Sequence, residues 1–232
     1  MKQRLIAILL ATAFCLTACS KKEETKPSSE TSPAISTETE MTTTTEATTA
    51  TSASTETTPK YSYETQLGPF VSSLDTFEVR SESITDMDWD VKIGNNENTT
   101  HGENLSPQLS WDEVEGASCY AVYMLDISAN NWMHLKYLVE GATSLELGEV
   151  PDYVTAPKGR GYCGPYPPAG STHAYVIYVV ALKSADTKIG GMVNVAGKDT
   201  EALFTALDTT TSGETGNVIA YGELGGAYCS DW

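Results

Sequence analysis

The chain is short of positive charge: 14 Lys and Arg stand against 31 Asp and Glu among 232 residues, a formal net charge of −17. This balance excludes a nucleic-acid partner, because neutralising a phosphate backbone takes a basic face and the one adjacent basic pair is Lys21-Lys22. Anionic membrane surfaces are disfavoured as docking faces for the same reason. Histidine is scarce, with three copies, and their positions show none of the ligand spacings of a zinc site. No serine or cysteine sits in a motif that names a nucleophile, which leaves a hydrolase without an anchor residue. Aromatic residues are missing from residues 20–60, where fourteen Thr, seven Ser, seven Glu and three Pro fill most of 41 positions. Such a segment cannot bury enough apolar surface to offset its ordering entropy, so it reads as a disordered tether.

What is present begins with an address. Lys2 and Arg4 precede an uncharged run from Leu5 to Leu16 that is too short to span a bilayer, the pattern of a secretory signal. It ends in Leu16-Thr17-Ala18-Cys19, which resembles the bacterial lipobox, in which the cysteine is lipidated and becomes the mature amino terminus. The expected organisation is a signal over residues 1–18, a tether over 19–60 anchored through lipid on Cys19, and one folded domain over 61–232. The localisation this implies is extracytoplasmic, on the cell membrane. A flexible chain of the tether's length spans about 35 Å by square-root scaling. Cys119, Cys163 and Cys229 then remain in a compartment that tolerates disulfides; at most one bridge can form, and the pair is open.

The domain holds 8 basic and 24 acidic residues. Cys119 to Leu125 and Ala174 to Leu182 are near-continuous runs of β-branched, aromatic and aliphatic residues, the composition of central strands covered on both faces. From Leu135 to Val139 the pattern alternates, with Leu135, Tyr137 and Val139 on one side and His134, Lys136 and Leu138 on the other. Asp199 is placed to cap a helix carrying Ala202, Leu203, Ala206 and Leu207. The expected fold is mainly β.

Two of the three histidines sit beside these strands. His173 and Tyr175 are two residues apart in a strand and share a face, while Asp126 ends one strand and His134 lies at the start of the next. A tight reversal between them brings the aspartate near His134, where it would fix the imidazole tautomer and favour the charged form. Between the strands, the segment from Gly159 to Gly170 is rich in glycine and proline, a combination that makes a stiff wall with close backbone access. Trp111 reads as core and His101 as exposed.

Four ordered blocks between about Phe77 and Tyr228 resemble the phosphatidylethanolamine-binding proteins, in particular their bacterial Raf-kinase-inhibitor-like branch. Gly102-Glu103-Asn104-Leu105-Ser106-Pro107-Gln108-Leu109-Ser110-Trp111 is similar to the family's G-x-N-x-S-P-x-L-x-W. Asp126 followed by Trp132-Met133-His134 is similar to its aspartate and W-x-H element, and Gly164 to Gly170 with His173 and Tyr175 to its G-x-x-P-P-x-G…H-x-Y segment. Gly222 to Tyr228 resembles its closing strand. The resemblance implies a β-sandwich of two antiparallel sheets with a few peripheral helices. It also implies a small pocket for phosphate-like head groups, lined by Asp126, Trp132, His134, Gly164, Pro167, Pro168, His173 and Tyr175. The chain departs from the family at Asp126-Ile127-Ser128-Ala129-Asn130, which stands in place of D-P-D-x-P. Tyr166 replaces a small residue, and Ala174 sits where Arg is common.

The expected function is binding without catalysis. The ligand is a small anion or phospholipid head group, with no cofactor and no metal. Two other classes compete with it: an interaction or protease-inhibitor module with an envelope protein as partner, and a hydrolase of ester or phosphoester substrates.

Overall fold

The computed structural model describes residues 63–157 and 160–230. The expected signal, the lipidated Cys19 and the tether lie outside the described residues. The strands are β1 (Asp75–Thr76), β2 (Val79–Arg80), β3 (Ile84–Thr85), β4 (Asp88–Trp89), β5 (Leu109–Trp111) and β6 (Cys119–Asp126). They continue with β7 (Trp132–Glu140), β8 (Ser144–Leu145), β9 (Gly161–Tyr162), β10 (Thr172–Leu182) and β11 (Val218–Cys229). A single helix, α1 (Thr200–Asp208), occurs among the described residues, with short 3-10 turns at Val71–Ser73, Val91–Ile93 and Ile127–Ala129. Its expected cap is in place: Asp199 accepts a hydrogen bond from the Ala202 amide at 2.7 Å.

The larger sheet runs β3-β4-β11-β10-β6-β7-β9, with β1 also paired to β11, and the smaller runs β2-β5-β8. The two central apolar runs, β6 and β10, are neighbours in antiparallel register, with Val176 opposite Leu125 and Val179 opposite Val122. Strict alternation along them builds two cores. Tyr123, Leu125, Val176, Tyr178 and Val180 face Val71 and the Leu203, Phe204 and Leu207 stripe of α1. Val122, Met124, Tyr175, Ile177 and Val179 face Val79, Leu109, Trp111 and Leu145 of the small sheet. Phe204 meets Tyr178 edge to face at 5.9 Å, and burying a ring of this size contributes roughly 1.5–3 kcal/mol.

The sandwich differs from two antiparallel sheets in one respect. The larger sheet is mixed, because the two-residue strands β1 and β4 both pair with β11 in parallel. Strands this short carry no alternation from which a direction can be read. Trp111 is core and His101 is exposed, as expected. Cys119, Cys163 and Cys229 are all unbridged, the first two buried and the third exposed. Among the described residues no helix is long and apolar enough to cross a membrane.

Candidate functional site

Three adjacent strands of the large sheet bring their site residues to one end. Asp126 closes β6, where it is paired with Tyr175 of β10 on one side and Trp132 of β7 on the other. Over this end folds the loop 163–171. It is fastened by the Ser230 hydroxyl, which donates to the carbonyls of Pro167 at 2.8 Å and Pro168 at 3.2 Å. Between strands and loop lies a cavity of about 240 Å³ lined by Asp126, Ala129, Trp132, His134, Tyr166, Pro167, Pro168, His173 and Tyr175. Seven of the eight residues expected at the pocket therefore line it.

Gly164 is the exception. Its amide donates to Asn104 Oδ1 at 2.7 Å, and its backbone lies against the His134 ring. A Cβ there would fall 2.4 Å from the Ile93 carbonyl oxygen and 2.5 Å from the Asn95 amide, so the glycine is needed for close packing of the loop on the 93–95 segment. Asn104 is held in turn by donating to Asp152 Oδ2 at 2.8 Å.

The aspartate has a different partner from the one the sequence indicates. Asp126 Oδ2 accepts from His173 Nδ1 at 2.7 Å, and Oδ1 accepts from the amides of Ser128 at 2.9 Å and Ala129 at 3.0 Å. These two amides belong to the 3-10 turn that follows β6, so the carboxylate caps that turn as well as orienting His173. His134 is fixed by the chain itself: its Nδ1 donates to the Cys163 carbonyl at 2.7 Å, and the Cys163 amide donates back to the His134 carbonyl at 2.8 Å. A carbonyl and a carboxylate only accept, so both rings carry their proton on Nδ1.

A β-bulge explains the swap. Met124 pairs with Leu135 and Leu125 with Met133, leaving His134 as the unopposed extra residue of β7. The bulge breaks the alternation expected for this strand. His134 meets Tyr175 edge to face at 5.2 Å, and Tyr175 belongs to the same core as Leu135. Burial holds His134 below the ordinary imidazole range, outweighing the opposing pull of the Cys163 backbone and the Asp126 charge. The expectation of a charge-favouring aspartate at His134 is thus reversed: desolvation wins. Tyr175 is fully buried beside Asp126. Burial first, and then the Asp126 charge, raise its phenol well above the ordinary range. Burial likewise pushes the Cys163 thiol up to about 11, which makes it a poor nucleophile at neutral pH.

Tyr166 stands as a wall and leaves the hollow open. It packs edge to face on His134 at 5.8 Å, and its hydroxyl donates to Asn194 Oδ1. The same oxygen accepts from Trp132 Nε1 at 3.2 Å, and Asn194 Nδ2 donates to the Tyr153 hydroxyl at 2.9 Å. Asn194 thus latches two walls of the cavity, a function no local sequence signal reveals. It is tied to β7 by its own amide, which donates to the Met133 carbonyl at 2.7 Å. It occupies the left-handed region at φ 62°, which asparagine tolerates better than most residues.

The family model for phosphatidylethanolamine-binding protein matches residues 84–228. The chain belongs to the phosphatidylethanolamine-binding protein family. Among solved structures it is similar to E. coli YbcL, described as a new member of the mammalian PEBP family. The two are 26% identical over 66% of this chain and 98% of YbcL, with a TM-score of 0.50. It is also similar to the putative PEBP homologue CT736 of Chlamydia trachomatis at 21% identity, covering 68% of this chain and 99% of that one, with a TM-score of 0.45. No curated protein matches the chain. The PEBP fold is that of a ligand-binding module, and the cavity at the end of β6, β7 and β10 lies inside the matched region.

Proposed function

We propose that this PEBP domain captures a small anionic group, phosphate or a phosphorylated head group, without turning it over. The observation that carries the reading is the meeting of two imidazoles and a phenol around one hollow of head-group size. Each ring has its Nδ1 committed, so a ring contact to a ligand is made through Nε2. Asp126 holds the His173 ring in place through Nδ1 at 2.7 Å. The domain sits outside the cytoplasm, held to the membrane by lipid on Cys19. The support for that part is the signal and lipobox pattern of the first nineteen residues.

Calorimetric titration of the protein with inorganic phosphate and with phosphoethanolamine tests the binding claim. Saturable binding that is lost in a His134→Ala, His173→Ala double variant is expected. Unchanged affinity in a folded double variant would remove the cavity from the account. Turnover of a phosphoester panel that depends on His134 would instead make the protein an enzyme.

A further inference from the structure

A second hollow, of about 280 Å³, shares the 3-10 turn after β6 with the histidine cavity: Ile127 lines this one and Ala129 the other. Its floor is the buried pair Tyr178 and Thr200, and its rim carries Glu64, Gln66, Asn130 and Asn131. The family match begins at residue 84, well after Gln66, and Asn130 stands where the family's D-P-D-x-P has its second proline. The hollow therefore lies outside what the family pattern specifies. Its parts are held firmly. The Tyr178 hydroxyl is hydrogen-bonded with Thr200 and Thr65, and Thr65 also bonds Glu223. On the other side Asp126 caps the turn, and the Ser128 hydroxyl accepts from the Ala174 amide at 2.9 Å. Asn130 and Asn131 both take left-handed backbone, at φ 53° and 51°. One such residue ends the turn; two in succession are uncommon outside glycine.

The chemistry of the rim narrows what can sit there. The side chains of Gln66, Asn130 and Asn131 spend no hydrogen bond on another described residue. Each amide brings two N–H donors and a carbonyl acceptor, while Glu64 brings acceptors alone. The described lining has no Lys or Arg, which leaves an anion unpaired, and its one carboxylate leaves a metal ion short of ligands. Ile127 is its one aliphatic side chain, too little for an apolar molecule. A sugar hydroxyl both donates and accepts, which is what a wall of amides can answer.

We propose that this hollow binds a neutral carbohydrate, as one pyranose ring or as the end of a glycan chain, at a site independent of the histidine cavity. The ring hydroxyls pair with the amides of Gln66, Asn130 and Asn131 and with the Glu64 carboxylate, and a C–H face of the ring rests on Ile127. The two walls come from separate parts of the chain, so the site exists only while the segment entering the domain is docked. That docking is secured from α1, where the Glu201 carboxylate accepts from the amides of Phe70 at 3.0 Å and Val71 at 3.1 Å. A floor and walls already fixed before binding leave little ordering cost for the sugar to offset.

The experiment is NMR on the isotope-labelled protein titrated with glucose, galactose, mannose and N-acetylglucosamine, with maltotriose and chitotriose, and with glycerol as a polyol that has no ring. At least one sugar should shift the Asn130 and Asn131 signals along a saturating curve in the millimolar range and leave His134 and His173 in place. Its affinity should fall about fivefold in Gln66→Ala and in Asn131→Asp, the latter keeping a side chain that tolerates left-handed backbone. Binding should persist with inorganic phosphate present. A trimer that binds tighter than its monomer assigns the site to a glycan chain, and equal affinity assigns it to a free sugar. The proposal is overturned if no sugar gives a saturable shift, if both folded variants bind like the parent, if the shifts centre on the histidines, or if glycerol binds as well as the sugars. None of these results bears on the anion site, which phosphate titration tests separately.

Discussion

The wall formed by β7 and the loop 163–171 and the wall formed by β10 hold their histidines in different ways. His134 is 2% exposed and bonded to a neutral carbonyl, so burial governs it and keeps it uncharged. The His173 side chain is 19% exposed and bonded to a carboxylate that is itself 4% exposed. One residue type on two strands separated only by β6 thus acquires two settings, a ring sealed against a neutral carbonyl and a partly exposed ring held by a carboxylate. The difference comes from what meets Nδ1 and from access to water, and neither can be read from the identity of the residue.

The strongest way to break this contrast is to remove the carboxylate. Asp126→Ala strips an acceptor from His173 and from two turn amides at once, and it should destabilise the protein by about 3 kcal/mol in urea unfolding. A loss below about 1 kcal/mol would mean that water replaces the carboxylate without cost. Acidification probes the opposite wall. Because His134 is held below its ordinary value of 6.5 in the fold, the unfolded chain takes up the proton first, and stability falls as pH drops below 6.5. The slope from this one group is at most about 1.4 kcal/mol per pH unit. Glu223, whose carboxyl burial raises, works in the other direction, since its folded form binds the proton more tightly. The comparison is therefore made with a His134→Asn variant, whose amide can still donate to the Cys163 carbonyl and which should show a flatter acid limb. An unaltered limb would show that His134 is protonated as readily folded as unfolded.

Two smaller effects sharpen the account of the ligand. Tyr175→Phe removes a buried hydroxyl that faces Asp126, so stability should fall by about 1 kcal/mol while phosphate affinity falls about tenfold. A variant that binds phosphate as well as the parent would take the phenol out of the site. Asn194→Ala releases Trp132 and Tyr166 together and should lower stability by about 1 kcal/mol in the same unfolding assay. No change would mean that the two rings are held by packing alone.

The strands that build this end of the sheet were legible because burial on both faces leaves a continuous apolar run, as in Cys119 to Leu125 and Ala174 to Leu182. The α1 helix was legible from Asp199 and the spacing of Leu203 and Leu207. Seven pocket residues followed from ordered motifs. The partner of Asp126 did not, because nearness along the chain favours His134, whereas the antiparallel register seats β10 beside β6 and a single-residue bulge turns His134 toward Tyr175. Asn194 was invisible for a related reason: it arrives from a separate loop and carries no motif, and only folding places its carbonyl between an indole and a phenol. The packing of Gly164 on the 93–95 segment was not legible either, because glycine at a pocket and glycine at a tight backbone crossing look alike in sequence.

The most direct test follows the imidazole nitrogens by NMR while inorganic phosphate is titrated into the isotope-labelled protein, with exposed His101 as an internal reference. The account predicts that the signals of His134 and His173 shift together along one saturating curve while His101 stays still. Movement of all three in parallel, or of neither cavity histidine at saturating phosphate, would contradict it.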